Sequence, residues 1–368
     1  MSEKRFDVVG SFLRPENLKK ARADYDAGLI TKEQFTEVKN YAVRQLVEKQ
    51  KAAGLAHITD GEYNRKFWHL DFFWGFEGIE HKRGNGGVAF NGEVADLDAT
   101  YLVGKLKAKA HPFVEDFKFV KSLESDGFTA KQTIPSPAQL FQQLIIPANY
   151  DATRKFYSTN EELLQDIGKA YQDVIKQLYD AGCRTIQFDD CTWGAIVGDV
   201  AEQRYKFFGS LKEVKEQFLK VNNLAIEGKP ADLEINTHIC RGNYHSTFFT
   251  SGAYDPVADF VFARENVNNL YLEYDDERSG SFAPLAKVSP DKKVVLGLIT
   301  TKRPELEDKA TVIARIKEAA KYIPLERLLL SPQCGFASCE IGNKLTEEEQ
   351  WSKIKLVREI AQEVWGDQ

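Results

Sequence analysis

The 368-residue chain has few cysteines, no clustered positive charge and no long apolar run. No stretch of about 20 consecutive apolar residues occurs, so the sequence offers no membrane-spanning helix. The opening MSEKRFDVVGSFLRP lacks the apolar core of a secretory leader. Lysine and arginine are spread along the chain and the formal net charge is −6. Neither nucleic acid nor an anionic membrane surface is therefore an expected partner. The five cysteines (Cys183, Cys191, Cys240, Cys334 and Cys339) are odd in number. In a long chain without a leader signal they point to free or metal-bound thiols in a reducing cytoplasm rather than to a disulfide framework. There is no internal repeat or low-complexity tract. No G-x-G-x-x-G follows the first expected strand, which counts against an open dinucleotide-binding sheet.

What is present is a globular composition, 43% hydrophobic and 28% charged, and a regular alternation of elements. Phe6 to Phe12 reads as a strand, and Pro15 opens a helical stretch. Thr31 to Gln34 forms a capping box ahead of a long helix closed by Gly54. Apolar strands are expected near residues 58, 130, 186, 235, 271, 296 and 329, separated mostly by amphipathic helices. The clearest helix covers Glu161 to Asp180, with Leu164, Ile167, Tyr171, Val174 and Leu178 on one face. A last helix is capped at Thr346 to Glu349. Eight buried strands alternating with helices predict an α/β fold, a (β/α)8 TIM barrel in which residues 1–368 make one catalytic domain. Residues 67–128 interrupt the rhythm after the second strand. They are aromatic-rich, carry a glycine turn at 84–87 and alternate as short hairpins do, so they read as an insertion serving as a lid or an oligomer contact.

A barrel brings its strand ends together at one mouth. The polar residues at these ends are Ser11, Glu62, Asp189, Asp190, His238, Cys240, Glu273 and Cys334. His238 and Cys240, two apart on an extended chain, share a face. With Glu273 and Cys334 they supply one nitrogen, two sulfurs and one carboxylate oxygen, a tetrahedral donor set for Zn2+. If Glu273 gives way to an incoming thiol, zinc lowers that thiol's pKa. Alkyl transfer onto sulfur is the reaction implied. Taken singly, each residue also has an ordinary role as a helix cap, a core thiol or a solvated acid. His245, Cys191 and Cys339 are read as ordinary, with His245 at a helix start.

The motifs T-H-I-C at 237–240, Y-L-E ending at Glu273 and S-P-Q-C-G at 331–335 resemble the zinc motifs of the cobalamin-independent methionine synthase family. V-G-S-F at 9–12, D-G-E-x-x-R at 60–65 and I-Q-F-D at 186–189 resemble that family's homocysteine-binding motifs. The likeness covers nearly the whole chain but only the C-terminal catalytic barrel of the full-length enzyme, whose N-terminal barrel has no counterpart here. It implies that His238, Cys240, Glu273 and Cys334 hold zinc, that Ser11 binds the amino acid through its backbone, and that Glu62 and Asp189 accept hydrogen bonds from an α-amino group.

The chain departs from the family elsewhere. Where the family carries a histidine proton donor, this chain has Leu298 to Lys302, which leaves Lys302 as a proton-donor candidate by position. Ala195 stands at the place of a folate-holding glutamate, and the folate-contacting arginine–cysteine pair and tryptophan have no counterpart around residues 105–150. The methyl donor is thus a folate, another small molecule or a carrier protein, and a homo-oligomer is compatible with the sequence. The expected activity is methyl transfer to homocysteine or a near analogue. The alternatives are a zinc-dependent lyase joining a small thiol to an epoxide, or a zinc-stabilised binding subunit without turnover. Two carboxylates favour an amino-bearing thiol over a sulfonate-bearing one.

Overall fold

The computed structural model describes residues 4–198 and 201–366. Its centre is a curled sheet of seven parallel strands in the order β1 (His57–Ile58), β4 (Thr129–Pro135), β5 (Thr185–Asp190), β6 (Glu234–Ile239), β7 (Asn269–Glu273), β8 (Lys293–Ile299) and β9 (Leu328–Pro332). β2 (Glu77–Ala89) and β3 (Val94–Lys107) pair with each other as a separate antiparallel hairpin. The expected strand at Phe6 to Phe12 is present as a stave rather than as a laddered strand. On one side Phe6 bridges Leu330 in parallel, and Asp7 N–H donates to the Leu330 carbonyl at 3.1 Å. On the other, Thr59 Oγ1 donates to the Gly10 carbonyl at 2.7 Å and Phe12 N–H to the Gly61 carbonyl at 3.1 Å. Gly10 takes a φ of 133°, which breaks regular strand geometry at that point. These bonds close the sheet into the TIM-type barrel that the strand pattern predicts.

The helices lie on the outside and bury one stripe each. Asn160–Asp180 starts at a capping box between Thr159 and Glu162 and buries Leu163, Leu164, Ile167, Tyr171, Val174 and Leu178. Each such side chain contributes roughly 1.5–3 kcal/mol when removed from water. Capping boxes also open Lys32–Ala52 and Glu347–Trp365. β5 is buried at all six positions, as a strand covered on both faces must be. Among the described residues no helix is long and apolar enough to cross a membrane.

Three local expectations are corrected. Residues 77–107 make one long hairpin, not several short ones. The glycines at 84–87 lie within β2 beside a register irregularity between Lys82 and Gly86, and the reversal falls at Phe90–Glu93. His245 does not begin a helix. It sits with Ser246 in a left-handed turn (φ 46° and 68°) closed by the Tyr244–Thr247 bridge, and the next helix is Asp255–Ala258.

Candidate metal centre and substrate pocket

The side chains of His238, Cys240, Glu273 and Cys334 converge at the carboxyl ends of β6, β7 and β9. One nitrogen, two sulfurs and one carboxylate oxygen lie within 4.8 Å of one another. The two sulfurs are 3.8 Å apart. All four residues are buried, with Glu273 at 0% and Cys240 at 6% exposure. Both ring nitrogens of His238 lack a hydrogen-bond partner. A buried polar atom left unpaired costs about 1–3 kcal/mol, and a cation in the cluster is the partner this imidazole fits. The neighbouring Cys240 thiol and burial push the Cys334 thiol well up, and contact with Cys191 and burial do the same to Cys240. Crowding and burial thus favour neutral thiols, and a bound cation would favour the thiolates.

Backbone and side chains around the cluster hold it in place. Gly242 N–H donates to Cys240 Sγ at 3.3 Å, and Arg241 N–H donates to Glu273 Oε1 at 3.1 Å. The Tyr254 hydroxyl accepts from Glu273 N–H at 3.0 Å. Arg278 stands 3.6 Å from Glu273 Oε2 and is itself paired with Asp275 and Asp276. His238, Cys240 and Cys334 border a cavity of about 270 Å³, whereas Glu273 lies behind them and does not line it. A ligand arriving through the cavity therefore meets His238, Cys240 and Cys334 rather than Glu273.

Ser11, Glu62 and Asp189 line the same cavity. Glu62 follows Gly61 in a turn where both residues are left-handed, with φ of 61° at Glu62. That conformation costs a non-glycine residue on the order of 1–3 kcal/mol. It is held by Asp60 Oδ1, which accepts from Glu62 N–H, and by Arg14, which donates to the Glu62 carbonyl. Glu62 Oε1 takes a bond from Thr133 Oγ1 and faces Arg65 at 3.3 Å, while buried Oε2 has no partner. Asp189 Oδ1 accepts from Gln187 Nε2 at 2.8 Å. Burial pushes both carboxyls up from their ordinary range. Arg65 pulls against it at both acids, and the Asp189 charge adds to it at Glu62. Two buried acids with spare acceptor capacity suit a cationic ligand group. Ser11 abuts Gly335, where any Cβ would collide with Ser11 Oγ.

The hairpin roofs this cavity. Val88, Phe90 and Ala95 line it, and Phe90 packs against Tyr244 and Phe249 at centroid distances of 5.3 and 5.7 Å. Asn91 N–H donates to the Phe248 carbonyl, and Glu93 pairs with His245 and Lys344. Lys302 is not a lining residue. Its ammonium donates to Asn243 Oδ1 at 3.1 Å, and Asn243 lines the cavity while donating to the Gly335 carbonyl. Cys191, Cys339 and Ala195 line it too.

The sequence reading missed His69 and Gln139, which border the cavity with a buried unpaired atom each, Nδ1 and Oε1. Burial drives His69 down to about 3, so it is neutral at ordinary pH. The His-Leu-Asp run after the D-G-E-x-x-R motif was the available signal, hidden by its aromatic neighbours.

Residues 148–363 match the family described as cobalamin-independent synthase, catalytic domain. The uncharacterized protein YxjG of Bacillus subtilis is 42% identical over 364 residues, 98% of this chain and 94% of that protein. The methionine synthase of Saccharolobus solfataricus is 25% identical over 362 residues, 96% of this chain and 94% of its own length. A crystal structure from Listeria monocytogenes, described as a candidate vitamin-B12-independent methionine synthase, superposes with a TM-score of 0.77 at 36% identity, covering 98% of each chain. A B12-independent methionine synthase from Shewanella, at 19% identity and a TM-score of 0.71, covering 99% of this chain and 98% of its own, shares the fold. The chain belongs to the cobalamin-independent methionine synthase family and is a methyltransferase.

Proposed function

We propose that the chain transfers a methyl group to the thiol of homocysteine or a close analogue, with zinc held by His238, Cys240, Glu273 and Cys334. The observation that carries this reading is one cavity lined both by three members of the cluster and by the buried acids Glu62 and Asp189. When bound, a borderline-soft dication supplies a lowered pKa for a substrate thiol.

The remaining roles belong to the chain. Glu62 and Asp189 hold the substrate's ammonium, and Ser11 packs its backbone side. Glu273 would be the metal ligand to give way to a thiol, because Arg241 N–H already holds its Oε1 and Arg278 stands 3.6 Å from its Oε2. The hairpin excludes water from the reacting sulfur. Lys302 is held outside the cavity by its bond to Asn243 Oδ1, so to act as proton donor its ammonium would have to leave that bond and swing in; an amide does not relay the proton. Residues 1–368 act as one catalytic unit, with 67–128 an insertion that supplies the roof.

The test is metal content, homocysteine titration and methionine formation with the metal-loaded protein, using folate and non-folate methyl donors in parallel. About one zinc per chain together with saturable homocysteine binding supports the reading. Preparations that neither contain nor take up zinc would sink it.

A further inference from the structure

Side chains two apart on a strand share a face. Beneath the site, therefore, Lys131 lies under Thr133, Gln187 under Asp189 and Tyr271 under Glu273. These side chains and Asp7 form one buried network. Lys131 Nζ donates to Asp7 Oδ2 at 2.9 Å, to the Val8 carbonyl at 2.7 Å and to Gln187 Oε1 at 3.2 Å. The Tyr271 hydroxyl donates to Asp7 Oδ2 at 2.6 Å, and His57 Nδ1 lies 3.1 Å from it. Gln187 Nε2 donates upward to Asp189 Oδ1 and sideways to the Val9 carbonyl at 2.7 Å.

Branched apolar side chains are the usual filling of such barrels. An ion pair in their place carries a desolvation penalty that apolar packing would avoid. What the charge does here is visible in Gln187. With its oxygen on the Lys131 ammonium, its amide N–H groups must face Val9 and Asp189. Turned over, the amide would set N–H groups against an ammonium and its oxygen against a carboxylate.

We propose that Lys131 and Gln187 are positioning residues for substrate recognition: the buried ammonium fixes the Gln187 amide, and the amide fixes the Asp189 carboxylate that receives the substrate's amino group. This rests on the reading of Glu62 and Asp189 given above. Gln187 occupies one oxygen of Asp189 from below and leaves the carboxylate aimed into the cavity. Lys131 touches no substrate; it acts through the Gln187 amide, and its buried charge also favours the ionised form of Asp189.

The test compares two thiols on the metal-loaded protein by calorimetry: L-homocysteine and 4-mercaptobutanoic acid, the same thiol acid without the amino group. The variants are Gln187→Met, nearly isosteric and leaving the ion pair intact, and Lys131→Met with Asp7→Asn, which keeps the barrel floor neutral. Homocysteine affinity is expected to fall about tenfold, the loss of one well-oriented charge-assisted contact, while 4-mercaptobutanoate binding and metal content stay unchanged. The isosteric variant decides the question if the charge-free floor does not fold. Undiminished preference for homocysteine in folded variants overturns the proposal. Equal weakening of both thiols does so too, since that marks a general structural role. Wild-type protein that fails to prefer homocysteine overturns the amino-group reading itself, and needs no variant to show it.

Discussion

Asp189 and His238 are direct partners across the β5–β6 ladder. An acid that suits an amino group and a ligand that suits a metal thus stand one strand spacing apart, about 4.8 Å. A short substrate with a thiol at one end and an ammonium at the other can engage both. The two side chains belong to a single rigid sheet, so their separation is fixed by hydrogen bonding rather than by loop conformation.

Loss of one sulfur is expected to empty the metal centre. Cys334→Ser should bring metal content from about one per chain to well below half, read by elemental analysis of protein purified without added metal. The thermal midpoint should fall as well, because a ligand bound only by the native state stabilises it. Unchanged metal content would remove Cys334 from the ligand set.

Homocysteine affinity should weaken as pH falls through neutrality. Glu62 and Asp189 are pushed up by burial. Their charged forms therefore dominate only above the raised values and are lost as protons are added. Titration against 4-mercaptobutanoate at each pH subtracts the thiol's own ionisation. Glu62→Gln should weaken homocysteine at least about tenfold and leave the deaminated thiol untouched.

His69 should make the fold sensitive to acid. Its folded value of about 3 lies below the unfolded value near 6.5. Its contribution is complete above the unfolded value and drains away as pH falls toward the folded one, by up to about 1.4 kcal/mol per pH unit. The raised acids Glu62, Asp189 and Glu265 work in the opposite sense over part of that range. The comparison is therefore between wild type and His69→Phe. The variant should lose less stability to denaturant between pH 6.5 and 4; parallel curves would show that His69 is not held neutral.

The hairpin tip should govern access. Phe90→Ala removes the ring that packs on Tyr244 and Phe249. It is expected to raise KM several-fold, with about 1 kcal/mol or less lost from global stability because the site is half-buried. Glu93→Gln breaks solvent-screened pairs with His245 and Lys344 and should leave global stability essentially unchanged. Faster proteolysis within residues 88–93 of Phe90→Ala is the second readout, and its absence would argue against a roof that opens.

The barrel was legible because β4 to β9 recur as short buried runs, mostly separated by helices, although only 3-10 turns link β7 to β8. The four clustered ligands were legible because each ends such a run. Four capping boxes follow the same rule. Thr31 and Thr346 were found, whereas Thr159 and Ser210 were missed, and the helix expected from Tyr205 begins at Leu211 after Gly209 turns left-handed. The stave at Phe6 was read as a full strand, since alternation does not report how many ladder bonds form. The hairpin turn was misplaced because the three glycines Gly84, Gly86 and Gly87 outweighed Phe90 to Glu93. Gln139 and Lys131 were out of reach, because a polar residue declares itself only when the burial around it is known, and the signal for His69 was hidden by its aromatic neighbours.

The left-handed Glu62 bears on how this site tolerates change. Asparagine or glycine would relax that backbone position, so substitutions there should raise the melting temperature while abolishing amino-acid recognition. A thermostability screen run without an activity filter would select against the catalyst at this residue. The same signature, a gain in heat resistance paired with loss of ligand, would single out Glu62 even in a relative whose substrate had never been identified.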